Sequence, residues 1–211
     1  MSYIQKNYAL AAETIIPAFQ RRGMEAYYCA TKEEACQKIL SLIPEGSSVT
    51  AGGTESMAQA GVMNAVTTGN YCFIDRKSAK TPEEARALYG KMVCADYFLT
   101  STNAFTKDGM LVNIDGASNR VACIAHGPAH VIVLASMNKM CDSQEDAIRR
   151  IRTQAAPPNA LRVGASTPCA KTGICGDCLS PDCICCEILI TRYSRIPGRI
   201  QVVLCGENLG F

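Results

Sequence analysis

Ser48-Val49-Thr50-Ala51-Gly52-Gly53-Thr54-Glu55-Ser56 is a short apolar strand that runs through paired glycines into a helix start. Glycine tolerates positive φ and lets a ligand approach the backbone closely. The helix start, reading on to about Val66, offers unpaired N–H groups and a positive dipole end that suit a phosphate or carboxylate. Thr54 and Ser56 can add hydroxyl donors. In open α/β sheets, sites lie at the carboxyl ends of strands, where this turn falls. Taken alone, the pair reads equally well as a tight turn with Thr54 as the helix cap.

Working outward, strands and helices alternate. Residues 2–22 place Ile4, Tyr8, Ala11, Ala12, Ile15 and Phe19 on one helical face, and Met24 to Cys29 reads as a strand. Thr31-Lys32-Glu33-Glu34 is a capping box that starts a helix to about Leu42. Tyr71 to Ile74 is a strand, Thr81-Pro82-Glu83-Glu84 opens a helix to about Val93, and Asp96 to Thr100 is a strand. Ala104–Thr106 and Met110–Ile114 flank an Asp108-Gly109 turn and read as a hairpin. Val121–Ala125, His130–Ala135, Glu187–Thr191 and Arg199–Cys205 read as further strands, and a helix from Ser143 is expected to end before Pro157-Pro158. The expected fold is α/β: a mostly parallel sheet flanked by helices, with a β-hairpin insertion and a Cys-rich loop at about 167–186, in a single domain spanning 1–211.

Bulk properties narrow the function. The chain has 211 residues, 48% of them hydrophobic, enough for a sizeable core. The net charge of +2 is spread evenly and there is no Trp, which argues against nucleic acid. The N-terminus lacks a signal-peptide pattern and no apolar run reaches membrane length, so no membrane partner and a cytoplasmic location are expected. The two histidines, His126 and His130, read as structural.

Two further polar groups sit where strands should end. Thr100-Ser101-Thr102-Asn103 follows one strand. Asn113-Ile114-Asp115-Gly116-Ala117-Ser118-Asn119-Arg120 follows another. Asp115 has acid/base chemistry and Arg120 can pair with an anion. The plainer reading of Asp115 is a turn residue bonding its own backbone.

Together with Gly127-Pro128 and Met137-Asn138-Lys139, these stretches resemble the LUD domain, the lactate-utilisation or DUF162 family. Residues 100–122 carry the most specific part of the likeness. The resemblance implies a fold similar to CoA transferases, ribose-5-phosphate isomerase and glucosamine-6-phosphate deaminase. It also implies that Gly52, Gly53, Thr54, Ser56, Asn103, Asp115 and Asn119 line a cleft. Many members carry an aromatic residue before the paired glycines, where this chain has Ala51.

Six of the thirteen cysteines fall in the 18 residues from Cys169 to Cys186. Cys175 and Cys178 form a Cys-x-x-Cys pair, with Cys169 and Cys185 to either side. Four thiolates suit a tetrahedral zinc or a 4Fe-4S cluster, while Cys-x-x-Cys also serves thiol exchange. The related sequences read Pro-Cys-x-x-Thr-Gly-x-Cys-x-Asp-Cys-x-Ser-Pro-x-Arg-Ile-Cys, which implies Cys169, Cys175, Cys178 and Cys185 as the metal set. Cys183 stands where they carry Arg, and Cys186 is extra. The other cysteines read as small hydrophobes in strands or helices.

The resemblance thus implies a role in lactate or organic-acid utilisation. The partners would be a small anionic metabolite and other lactate-utilisation proteins, and association into a homo-oligomer is expected. Two alternatives stand beside it. One is a metal-free enzyme of the CoA-transferase or sugar-phosphate-isomerase kind, with Glu55 or Asp115 as nucleophile or base; Gly52, Gly53, Thr54, Ser56, Asn103, Asn119 and Arg120 would bind its ligand. The other is a ligand-binding or assembly protein without catalysis.

Overall fold

The computed structural model describes residues 2–211. Its elements run α1 (Tyr3–Arg21), β1 (Glu25–Cys29), α2 (Lys32–Ser41), β2 (Ser48–Ala51), α3 (Glu55–Gln59), α4 (Val62–Thr68), β3 (Cys72–Ile74), α5 (Pro82–Val93) and β4 (Tyr97–Thr100). They continue β5 (Ala104–Thr106), β6 (Leu111–Asp115), α6 (Asn119–Ala125), β7 (His130–Ser136), β8 (Met140–Cys141), α7 (Gln144–Arg150), α8 (Ala156–Val163), α9 (Pro168–Thr172), β9 (Glu187–Thr191) and β10 (Ile200–Cys205).

Six strands form a wholly parallel sheet in the order β1-β10-β7-β4-β2-β3. Helices cover both faces, so the central strands are apolar on both sides. Phe98, Val131, Val133, Val202 and Leu204 point to the α1 and α6 face. Leu99, Ile132, Leu134, Val203 and Cys205 point to the α2 and α4 face. This alternation is the period of two of a strand, read twice over because neither face meets water. Truncating a side chain such as Phe98, which is fully buried, to alanine costs about 3–5 kcal/mol.

The expected hairpin is present, with Gly109 at φ +88° in its turn, and it belongs to a second sheet. That sheet has the order β8-β5-β6-β9. It packs on α7 through Ala104, Val112, Ile114, Ala147 and Ile151. The first apolar cluster also takes in Phe105 and Leu111, so it reaches from one sheet to the other.

Three expectations are corrected. Residues 121–125, read as a strand, lie in helix α6. A short apolar run is buried in either form, and here the deciding element is a cap supplied from Asp115. The helix from Ser143 does not end before Pro157-Pro158. It widens into a π turn over Ile151–Ala155 and resumes as α8, with the prolines in the first turn, where a missing N–H is harmless. The helix expected over Glu55–Val66 breaks at Gly61, which adopts φ +78°.

Candidate functional site

β2, β4 and β7 are neighbours in the parallel sheet, and their carboxyl ends open on a cavity of about 230 Å³. The start of α6 and helix α8 close its other sides. Of the residues singled out from sequence, Gly53, Thr54, Glu55, Ser56, Asn103, Asp115, Asn119 and Arg120 all line it.

The paired glycines are required for a reason other than the one expected. Neither adopts positive φ. A Cβ on Gly52 would stand 3.2 Å from the Phe98 ring and 3.3 Å from the Arg120 side chain. A Cβ on Gly53 would stand 3.0 Å from Arg76 Nη2 and 3.8 Å from Arg162 Nη2. The glycines therefore make room for arginines. Thr54 caps α3, its Oγ1 accepting from Met57 N at 3.3 Å. With only five residues, α3 has a weak dipole, so the positive field here comes from side chains.

Asp115 and Arg120 are tied into the framework. Asp115 Oδ2 accepts from the backbone N–H groups of Arg120 and Val121, and Oδ1 from Gly116 N. Ser118, the residue before α6, sits at φ +61° and makes no side-chain cap; Asp115 does that work from three residues upstream. The Arg120 guanidinium donates to Asn113 Oδ1 at 2.7 Å, Asn103 Oδ1 at 2.9 Å and the Ile114 carbonyl at 2.7 Å. It thereby pins the ends of β4 and β6 together. Glu55 is half-buried at the rim, where its Oε1 accepts from Gln59 Nε2 at 3.4 Å.

Lys139 lies at the floor, the one buried lysine among the described residues, 3% exposed. Its Nζ donates to Ser56 Oγ and Ser101 Oγ, each at 3.0 Å, and approaches the Thr102 carbonyl at 3.4 Å. Burial above all, then the charges of Arg150 and Arg120, push the ammonium down to about 7. In the sequence Lys139 stands out only as part of the family resemblance, with no role attached; it closes the short turn Met137–Lys139 that follows β7. Arg76 and Arg162 were missed. Arg162 sits on α8, the helix taken to have ended, where Asn159 Oδ1 accepts from its Nε and Nη2. Arg76 follows β3, the short outermost strand.

The LUD domain family model matches residues 12–205. The chain belongs to the LUD domain family. A crystal structure of a DUF162 family protein from Deinococcus radiodurans superposes with a TM-score of 0.54, covering 97% of this chain and 99% of that one. At 12% identity this likeness concerns the fold alone. Comparison with curated proteins finds no match. Among the described residues of this LUD domain, no helix is long and apolar enough to cross a membrane.

The cysteine segment forms one wall of the same cavity. Ile184 lines it, Gly116 packs against the Ile184 backbone, and Cys186 N donates to the Asp115 carbonyl at 2.9 Å. Cys169 is buried on α9, its Sγ 3.2 Å from Thr167 Oγ1. Burial, and then the charges of Cys183, Cys175 and Cys169, push the Cys185 thiol up to about 12. Cys183 thus stands among the groups acting on Cys185. Its Sγ reaches the Cys178 carbonyl at 3.6 Å, and Cys178 is held below the usual thiol range by hydrogen bonds from Ser180. All thirteen cysteines are free thiols. No three His, Cys, Asp or Glu side chains among the described residues are drawn into a ready metal cage. Free cysteine sulfurs along one segment are nevertheless the donor type that a thiophilic cation takes.

Proposed function

We propose that this LUD domain binds a small organic anion, a carboxylate or phosphate, in the cavity at the carboxyl ends of β2, β4 and β7, in the service of lactate or related organic-acid utilisation. One observation carries the reading. The Arg76 and Arg162 guanidinium groups converge over Gly53 from different elements, and neither has a carboxylate within 4.0 Å among the described residues. Two like charges held together without a counter-ion are a standing invitation to an anion, and guanidinium matches carboxylate and phosphate in a fork. Family membership supports the metabolic setting.

Thermal-shift and calorimetric titration with L-lactate, pyruvate, inorganic phosphate, sugar phosphates and acyl-CoA test this. At least one of these anions should raise the melting temperature, and Arg76→Ala with Arg162→Ala should abolish the effect. A melting temperature unmoved by every anion, or moved equally in the double variant, would sink the reading.

A second reading concerns the cysteine wall. The crowding of Cys169, Cys175 and Cys183 about Cys185 supports a zinc or iron–sulfur centre there, with Cys178 the remaining thiol of the motif. Zinc would pin the wall of the cavity; a cluster would supply electron transfer. Zinc titration, and anaerobic reconstitution with iron and sulfide followed by absorption spectra and metal analysis, decide between them. Failure to bind either stoichiometrically removes this reading.

A further inference from the structure

Lys139 has the placement of a nucleophile. A lysine becomes a nucleophile when it is desolvated and held beside other cations, since both disfavour the ammonium form. Lys139 meets both conditions, with Arg150 and Arg120 as the neighbouring charges. Lys139 is one of the residues that line the cavity. Gly210 leaves that approach clear: a Cβ there would stand 2.6 Å from Ser56 Oγ and 3.2 Å from Lys139 Nζ. Two hydroxyls, Ser56 and Ser101, sit 3.0 Å from the amine, within reach to relay protons.

We infer that Lys139 condenses with the carbonyl of a 2-oxo acid whose carboxylate is held by Arg76 and Arg162. The inference rests on the anion-site reading above and names the substrate class for that site. The neutral amine adds its lone pair to the carbonyl carbon, and the carbonyl π pair moves to oxygen, which takes up a proton. The nitrogen gives one proton to the hydroxyl relay. The carbinolamine then expels its hydroxyl as water with one further proton from solvent, leaving a protonated imine. No oxidant or reductant takes part, and the step is reversible.

The test is reductive trapping on the full chain. With pyruvate and sodium cyanoborohydride near neutral pH, one N-carboxyethyl group should appear on the peptide bearing Lys139. It should form at least about tenfold faster there than at any of the eight other lysines, because none of those is buried away from water. Excess L-lactate, which has the carboxylate without the carbonyl, should slow it, and acetone, which has the carbonyl without the carboxylate, should label weakly. Lys139→Arg keeps a cation and should lose the adduct, with circular dichroism checking the fold. Where a variant fails to fold, the distribution of adducts on the unaltered chain decides. Labelling spread evenly over the lysines, or acetone matching pyruvate, overturns the proposal. Absence of a Lys139 adduct while lactate still raises the melting temperature overturns the imine and leaves the anion site standing. Absence of both overturns the two together.

Discussion

Asp115 Oδ2 accepts the backbone N–H of Arg120 at 3.1 Å, so the carboxylate first read as an acid/base candidate is the cap of helix α6. It satisfies three backbone donors in all and lies 3.7 Å from Arg120 Nε. Asp115→Ala should therefore destabilise by about 2–3 kcal/mol, combining a lost cap with an uncompensated buried guanidinium. Asp115→Asn keeps an oxygen acceptor and should cost less. Urea denaturation of both variants measures this; equal and small losses would show that the cap is dispensable.

The glycines divide by what surrounds them. A Cβ on Gly116 would stand 2.9 Å from Ile184 Cα, which is backbone and cannot swing away. Gly116→Ala should cost about 1–3 kcal/mol as overpacking. Gly90, within α5, meets nothing within 4 Å, so Gly90→Ala should stabilise by about 0.5–1 kcal/mol. Denaturation midpoints moving in opposite directions would bear this out.

The pH dependence of stability has a sign set by Lys139. Its folded value is about 7 against an unfolded 10.5, so between those limits the unfolded chain binds the extra proton. Stability then rises with pH across that window. The groups facing the amine are the Arg120 and Arg150 guanidiniums, the Ser56 and Ser101 hydroxyls and the Thr102 carbonyl. Thiols raised by burial, Cys29, Cys36, Cys123 and Cys205 among them, act oppositely at higher pH, where the unfolded chain loses protons that the folded one keeps. Urea midpoints are best compared between pH 7 and about 8.5, below that second range. They should rise with pH in the native chain and less so in Lys139→Met.

The clustered thiols should react in a fixed order. Cys178, the thiol lowered by Ser180, should alkylate early, and Cys185, raised to about 12, late. Timed iodoacetamide labelling with peptide mapping reads the order. Zinc should protect the set if it binds there; indifference of every thiol to zinc would argue for thiols without metal.

The parallel sheet was legible because its strands are bounded by caps and glycines that act locally: Thr31 and Thr81 cap the helices they were read to start. Residues 121–125 were misread because their cap, Asp115, lies outside the run itself. The cavity residues that sequence reading found sit beside conspicuous turns, Gly52-Gly53 and Asp115-Gly116. Those left without a role, Arg76, Lys139 and Arg162, are single cations whose meaning comes from convergence in space. Spacing along the chain carries no trace of that. The paired glycines are conspicuous in the sequence, but their reason, Arg120 against Gly52 and Arg76 and Arg162 against Gly53, depends on partners 23 and more residues away.

The π turn over Ile151–Ala155 sets where Arg162 points. Pro157 and Pro158 have no N–H to give to Thr153 and Gln154, so the regular ladder cannot run through them. A π turn absorbs one residue more than regular helix would. Wound as plain α-helix, the same sequence would carry everything beyond it round by about 100° and along by about 1.5 Å. Arg162 would then leave Gly53. The two prolines act as a register lock, and the aim of a cavity arginine is held by ring closures a full turn upstream of it.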